Sequence, residues 1–198
     1  KTFSSDGSHA SRRITTAIDT MQQASSRMNI LLEDLLDTSK IEAGRYTISA
    51  QALDVTQIFE EALSLLMPLA TEKSVELTFS TEPNLRINAD PERLFQVLSN
   101  LISNAIKFTP ADGKIVVAAM SHGDDIVFSV RDSGKGISAE QLPHIFDRYW
   151  TAKEGNASGT GLGLYISQGI IKAHGGQLLA ESTLGKGSEF RFTVPRIE

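Results

Sequence analysis

The 198-residue chain contains no cysteine, which excludes a disulfide scaffold, thiol catalysis and thiolate metal ligation. That absence is compatible with a reducing compartment, and a cytoplasmic location is the expectation. Aromatic residues are scarce, 7% with a single tryptophan, so the core is expected to be mainly aliphatic. No run is long or apolar enough to span a bilayer; if a longer parent protein is membrane-bound, its anchor is expected outside this stretch. Positive charge is also in short supply, since 19 Lys and Arg against 24 Asp and Glu leave a net charge of −5. The basic residues are dispersed, which argues against nucleic acid as a partner but leaves room for a local basic pocket. The 4 histidines show no metal-ligand spacing. What is present, 40% apolar residues, suffices for one good core and an appendage.

Three stretches carry chemistry. The run Gly159-Thr160-Gly161-Leu162-Gly163 sets glycines at alternate positions and leads into an amphipathic helix. Glycines let a backbone approach an anion, and a helix start offers free N–H groups and a positive dipole end. The same run also reads as an ordinary turn and cap. Asp132-Ser133-Gly134-Lys135-Gly136 follows the strand-like Ile126-Val127-Phe128-Ser129-Val130. A carboxylate at a strand end can accept from an exocyclic amine, with Gly134 and Gly136 leaving space for a flat ring; alternatively it organises its own turn. The third stretch is a helix opened by Asp90-Pro91, with Leu94, Val97, Leu98, Leu101, Ile102 and Ala105 as its core stripe. On a neighbouring face stand Asn100, Asn104 and Lys107, spaced i, i+4 and i+7. An amide oxygen suits Mg²⁺ and a nearby lysine suits phosphate, whereas a solvated face more often carries Glu and Lys than two Asn.

Together these stretches resemble the N, G1 and G2 boxes of the ATP-binding domain of sensor histidine kinases, in the superfamily of gyrase, heat-shock chaperone, histidine kinase and mismatch-repair ATPases. Ile145-Phe146-Asp147-Arg148-Tyr149-Trp150 resembles the family's F box. The segment from Arg148 to Thr160, with Glu154, Gly155, Asn156 and Ser158, resembles its mobile lid.

The likeness extends to the N-terminal stretch. Ile14, Ile18, Met21, Ser25, Met28, Leu32 and Leu35 form a heptad seam interrupted by one serine, which reads as a helix packing in a bundle or coiled coil, although an ordinary core helix can show the same stripe. Leu31-Leu32-Glu33-Asp34-Leu35-Leu36-Asp37-Thr38-Ser39-Lys40-Ile41-Glu42-Ala43-Gly44 resembles the end of the second helix of the kinase dimerisation hairpin, stopped by Gly44. The family's phosphoacceptor box is not found. Ser8-His9-Ala10 echoes it faintly but lacks the acidic neighbour and the proline, so His9 is read as the start of the second helix and the chain as a fragment without the acceptor. His122 reads as an exposed turn residue, His174 as a helix-end residue suited to the dipole, and His144 as a neighbour of the F box.

From Tyr46 onward the pattern is mixed. Tyr46-Thr47-Ile48-Ser49 reads as a strand; Asp54 caps a helix to about Leu69-Ala70, bent or interrupted at Pro68. Strands are expected at Val75–Phe79 and Leu85–Ile87, hairpins at Lys114–Ala119 with Asp125–Val130 and at Gln177–Glu181 with Glu189–Val194, and a helix at Leu162–Ala173. The expected fold is α+β, a two-layer sandwich of a mixed, mostly antiparallel sheet with helices on one face, preceded by a long dimerisation helix. Residues 1–45 are assigned to that helix and 46–198 to a catalytic ATP-binding domain.

By resemblance, Asp132 would receive the adenine amine and Gly134 and Gly136 would shape the base pocket. Asn104 would hold Mg²⁺, with Asn100 and Lys107 completing the metal and phosphate surroundings. Gly159, Thr160, Gly161, Leu162 and Gly163 would face the phosphates, with Arg148 and Lys153 as cationic candidates of the lid. The resemblance implies a histidine kinase using ATP and Mg²⁺, a homodimer and a response-regulator receiver domain as partners. Asn100 stands where hydrolytic relatives carry a Glu, and an amide cannot activate water. A serine kinase of the anti-sigma type and a non-catalytic dimerising module are the alternatives.

Overall fold

Helix α1 (Asp6–Glu42) ends where its pattern predicts. Gly44 adopts φ +63, and Arg45 N–H donates to Lys40 O at 2.9 Å, a glycine-stopped C-terminus. The structure is a computed structural model that describes residues 6–151 and 160–197, with backbone alone for part of α1. Along α1 the apolar seam is uncovered: Met21, Met28, Leu32 and Leu35 are exposed, whereas Asp37 and Thr38 are buried. Ile14 and His9 lie on α1, but their side chains fall outside the described residues.

The segment Tyr46–Ser49 is not a strand. It runs as irregular chain up to β1 (Gln51–Asp54), and Ser49 N–H donates to the carboxylate of Asp90 at 2.8 Å rather than to a ladder. β1 pairs antiparallel with β3 (Arg86–Ala89) as a separate two-stranded sheet. Between them lie α2 (Val55–Glu72) and β2 (Glu76–Thr81). Asp54 caps α2 as expected, accepting from Thr56 N–H at 2.8 Å. The helix, however, passes through Pro68 without interruption. Pro68 lies on the exposed face, where the carbonyl it leaves without a donor can meet water.

Asp90 accepts from Arg93 N–H at 3.2 Å and opens α3 (Pro91–Phe108). The chain then forms β4 (Lys114–His122), β5 (Asp125–Asp132), a short 3-10 turn at Leu142–His144, α4 (Gly163–Ala173), β6 (Leu178–Thr183) and β7 (Gly187–Pro195). Five strands form one sheet in the order β2-β4-β5-β7-β6. Only β2 and β4 run parallel, because the connection between them is a crossover that contains α3.

Each strand alternates, placing Ile115, Val117, Ile126, Phe128, Phe192 and Val194 inward against α2, α3 and α4. The core is aliphatic apart from a phenylalanine ladder. Phe59 of α2 stands edge-on to Phe128 with centroids 6.0 Å apart, and Phe128 stacks on Phe192 at 4.7 Å. His122 is exposed as expected, but it ends β4, paired with Asp125, and the turn itself is Gly123-Asp124. His174 differs from expectation. It is buried, its Nδ1–H donates to Ile170 O at 2.8 Å and its Nε2 accepts from Asp90 N–H at 3.0 Å. One donor and one acceptor define the neutral ring, so His174 ties α4 to the start of α3 rather than placing charge on a dipole.

Candidate functional site

The apolar stripe of α3 fixes its roll on the sheet, and that roll turns Asn100 and Asn104 toward α4. Asn100 Nδ2–H donates to Ser167 Oγ at 2.9 Å, and Asn104 Nδ2–H donates to Asn100 Oδ1 at 3.2 Å. Both amide ends of Asn100 are therefore engaged. Among the described residues nothing donates to Asn104 Oδ1, which leaves one hard oxygen ligand at the junction of two helices. Gly163 opens α4 directly against Asn100: a Cβ there would lie 2.4 Å from Asn100 Oδ1. This glycine serves close helix approach as well as any anion.

Asp132 ends β5 beneath the next loop. It is 7% exposed, and its carboxylate accepts from Gly134 N–H at 2.7 Å. Burial holds its pKa above the usual carboxylate value, an effect that the backbones of Gly134 and Ser188 partly offset. No cation pairs with it among the described residues. A Cβ on Gly134 would sit 2.6 Å from Phe108 O and 2.7 Å from Asp132 Oδ1, so only glycine brings this loop across the end of α3. Gly136 has φ +68, and a Cβ would meet Thr183 O at 2.1 Å.

At the same end of α3, Lys107 Nζ and Lys135 Nζ lie 5.0 and 5.5 Å from the Phe108 ring centroid. With Lys73, Ser133 and Gly134 they line a shallow cavity of about 420 Å³. Lys73 Nζ is held by the last carbonyls of α3, donating to Ile106 O at 2.7 Å and Lys107 O at 2.6 Å.

Thr160 Oγ accepts from Leu162 N–H at 3.2 Å and donates to Asp34 of α1 at 3.3 Å. Gly161 takes φ +69 and packs so closely on Tyr149 that a Cβ would lie 2.6 Å from its carbonyl carbon. Leu162 is buried and supplies no side-chain cap, so among the described residues no side chain caps the first N–H groups of α4. Arg148 goes elsewhere: its guanidinium pairs with Glu42 of α1 and lies over the Tyr149 ring. Tyr149 itself has φ +62, a strained value for a non-glycine residue. Lys153 and Gly159, with Glu154, Gly155, Asn156 and Ser158, lie outside the described residues.

A family model described as histidine kinase-, DNA gyrase B- and HSP90-like ATPase matches residues 89–198. The chain belongs to that family. Among curated relatives of this ATPase domain, the sensor histidine kinase ZraS of Klebsiella oxytoca is 41% identical over 88% of this chain and 37% of its own length. RcsC of Escherichia coli is 36% identical over 92% of this chain and 19% of its own. The chain thus spans a minor part of each. Full-length ShkA in complex with AMPPNP superposes with a TM-score of 0.81 at 29% identity, covering 92% of this chain and 38% of that one. ThkA in complex with the response regulator TrrA gives 0.72 at 27%, over 93% and 52%. The chain thus carries an ATPase domain of this family, and ZraS, RcsC and ThkA are histidine kinases.

Within that domain, the structure unites Asn100, Asn104 and Gly163 at one helix junction, and Lys107, Gly134 and Asp132 where the loop after β5 crosses the end of α3. Sequence reasoning missed Phe108 and Lys135 at the cavity, although Lys135 stands inside the glycine motif that marked the loop. It also missed Asp34, which meets Thr160, and Asp37, which meets Arg93; these pairs lie 126 and 56 positions apart in the chain and leave no local signal.

Proposed function

We propose that this chain is the phosphoryl-donor part of a protein histidine kinase, binding Mg-ATP for transfer of the γ-phosphoryl group to a histidine of the dimerisation hairpin. Residues 1–45 are the second helix of that hairpin and 46–198 the catalytic domain. The observation that carries the reading is Asp132, a buried carboxylate without a cation partner among the described residues, at the floor of a glycine-lined loop. A group so placed needs a ligand that donates hydrogen bonds, and the adenine amine does.

The residues fit the nucleotide and its metal. Gly134, where a Cβ would collide with Phe108 O and the Asp132 carboxylate, lets the loop backbone close against that carboxylate without a side chain beside it. Asn104 Oδ1 would offer a single oxygen to a cation that takes its other ligands from elsewhere. Mg²⁺ would neutralise charge on the phosphate oxygens. Lys107 would hold the phosphates near the end of α3, and Gly161 and Gly163, with Gly159, Thr160 and Leu162 around them, would present the N–H groups at the start of α4. Gly136 would close the loop below the base, and Arg148 and Lys153 are the cationic candidates of the lid. In the transfer, an imidazole nitrogen forms a bond to the γ-phosphorus, the bond to the bridging oxygen breaks with its electrons leaving on ADP, and the imidazole proton passes to solvent. Asn100, lacking basicity and with both amide ends engaged, activates no water, so hydrolysis competes poorly.

The uncovered seam of α1 fits a homodimer, with a response-regulator receiver domain downstream and a cytoplasmic setting. Among the described residues no helix is long and apolar enough to cross a membrane. Calorimetric titration of a non-hydrolysable ATP analogue, with and without Mg²⁺, tests the reading. Metal-dependent binding that Asp132→Asn and Asn104→Ala both weaken supports it; a folded parent chain that binds nothing refutes it.

A further inference from the structure

The last turns of α1 rest on the catalytic domain through an acidic face. Asp37 is the deepest contact: at 2% exposure its carboxylate accepts from Arg93 Nη1–H at 2.9 Å and, more weakly, from Gln96 Nε2–H at 3.4 Å. Arg93 is fixed from two further sides. Its guanidinium lies 5.5 Å from the Tyr46 ring centroid, and its backbone N–H is held by Asp90. Asp90 in turn binds the linker through Ser49 and the end of α4 through His174. One charge on α1 thereby reaches the start of α3 and, through a single residue, the end of α4. These are the two helices that carry Asn100, Asn104 and Gly163.

We propose that the Asp37–Arg93 pair is the pivot that sets the orientation of the catalytic domain on the long helix, a positioning role in transfer that is separate from nucleotide binding. The proposal rests on the donor reading above. In this pair the Asp37 side chain is buried at 3% exposure while the Arg93 side chain keeps 31%. Desolvation of the carboxylate offsets much of the attraction, so the pair adds little net stability, but an arrangement that kept Asp37 covered without Arg93 would leave a buried charge unpaired. Arg148 and Glu42 cannot serve this purpose. Their side chains are 42% and 47% exposed, so water competes for the pair. The apolar part of the contact is small, with Ile41 seated on Gly169, where a Cβ would lie 2.4 Å from Ile41 Cδ1. Such a contact gives adhesion without dictating an angle. The Asp37–Arg93 pair lies at the first turn of α3, and the helix is rigid, so a change of angle there moves the Asn-bearing turn as a unit.

The cysteine-free chain permits a direct test. Spin labels on Thr20→Cys, exposed and off the apolar seam of α1, and on the exposed Ser80→Cys report the distance from α1 to β2 by double electron–electron resonance. Labelled chain is diluted into excess unlabelled chain so that only distances within one protomer are read. Asp37→Asn and Arg93→Gln are each expected to broaden or shift the distance distribution while nucleotide-analogue affinity stays within about threefold of the parent. Lys40→Gln, at an exposed position 4.0 Å from Asp37, is expected to change neither. A parental distance distribution in either variant overturns the proposal, and so does a loss of affinity beyond about tenfold, which would place the pair in the integrity of the pocket. The distances are measured without nucleotide, so failure of the donor reading leaves this result standing on its own.

Discussion

Helices α1 and α3 share a design and bury opposite halves of it. Each has an apolar stripe beside a polar one. In α3 the apolar stripe, Leu94 through Ile106, is sealed against the sheet and the polar face carries Asn100 and Asn104. In α1 the apolar stripe faces outward while the acidic face, with Asp37 and Thr38, is the buried one. Amphipathic periodicity therefore specifies which faces a helix has, but what lies opposite decides which face is covered. Within this chain the sheet lies opposite α3. Among the described residues nothing lies opposite the seam of α1.

Paired truncations are the strongest way to break that contrast. Leu98→Ala, in the sealed stripe of α3, should cost about 2–5 kcal/mol in denaturant melts. Leu32→Ala, in the uncovered stripe of α1, should leave the domain's unfolding midpoint within about 0.5 kcal/mol and instead weaken self-association in sedimentation. Equal destabilisation of the domain by both would erase the distinction. Next in size is Gly163→Ala, which forces a Cβ onto Asn100 Oδ1; overpacking of about 1–3 kcal/mol is expected, with nucleotide affinity falling alongside, by melting and calorimetry.

A pH titration sharpens the chemical side of α3's pocket. Burial raises the Asp132 pKa above its ordinary 3.8, so the folded state holds this proton more tightly than the unfolded one. The contribution of this group to stability is fully present below the unfolded value and is lost as pH rises through the folded value. Nucleotide affinity runs the other way, falling as acid protonates the acceptor, with a midpoint above 3.8; Asp132→Asn should flatten that dependence. The smallest effect belongs to the α1 junction. The Tyr46 hydroxyl is buried with no hydrogen-bond partner among the described residues, and burial, with Asp37 nearby, pushes its pKa up to about 12. Tyr46→Phe should leave the melting temperature unchanged or slightly higher.

Local chemistry made much of this fold legible. Asp54 and Asp90 are followed by the helices they cap, Gly44 stops α1 and the alternation of β4 and β5 sets which residues face inward, because each of these signals acts over a few residues. Signals failed where a distant partner decided the outcome. Tyr46–Ser49 has the composition of a strand, but Asp90 captures Ser49 N–H. Pro68 should interrupt a helix, but it lies on the exposed side. His174 reads as a dipole partner until Asp90 N–H is found against its ring. The site divides in the same way. Asp132, Gly134 and the asparagine pair are motifs in one stretch each, whereas the engagement of Asn100 by Ser167 and of Asp37 by Arg93 exists only once distant helices are packed.

The sheet order β2-β4-β5-β7-β6 has a further implication for how the domain is made. The seventh strand in chain order is an interior one, inserted between β5 and β6, and β6 has no other neighbour in the sheet. On a ribosome the earlier strands and the asparagine-bearing helix emerge first, yet the sheet cannot close until β7 has cleared the exit tunnel. Until then β5 shows an unpaired edge and β6 has nothing to pair with, so the nascent domain is most exposed to mispairing just before its synthesis is complete.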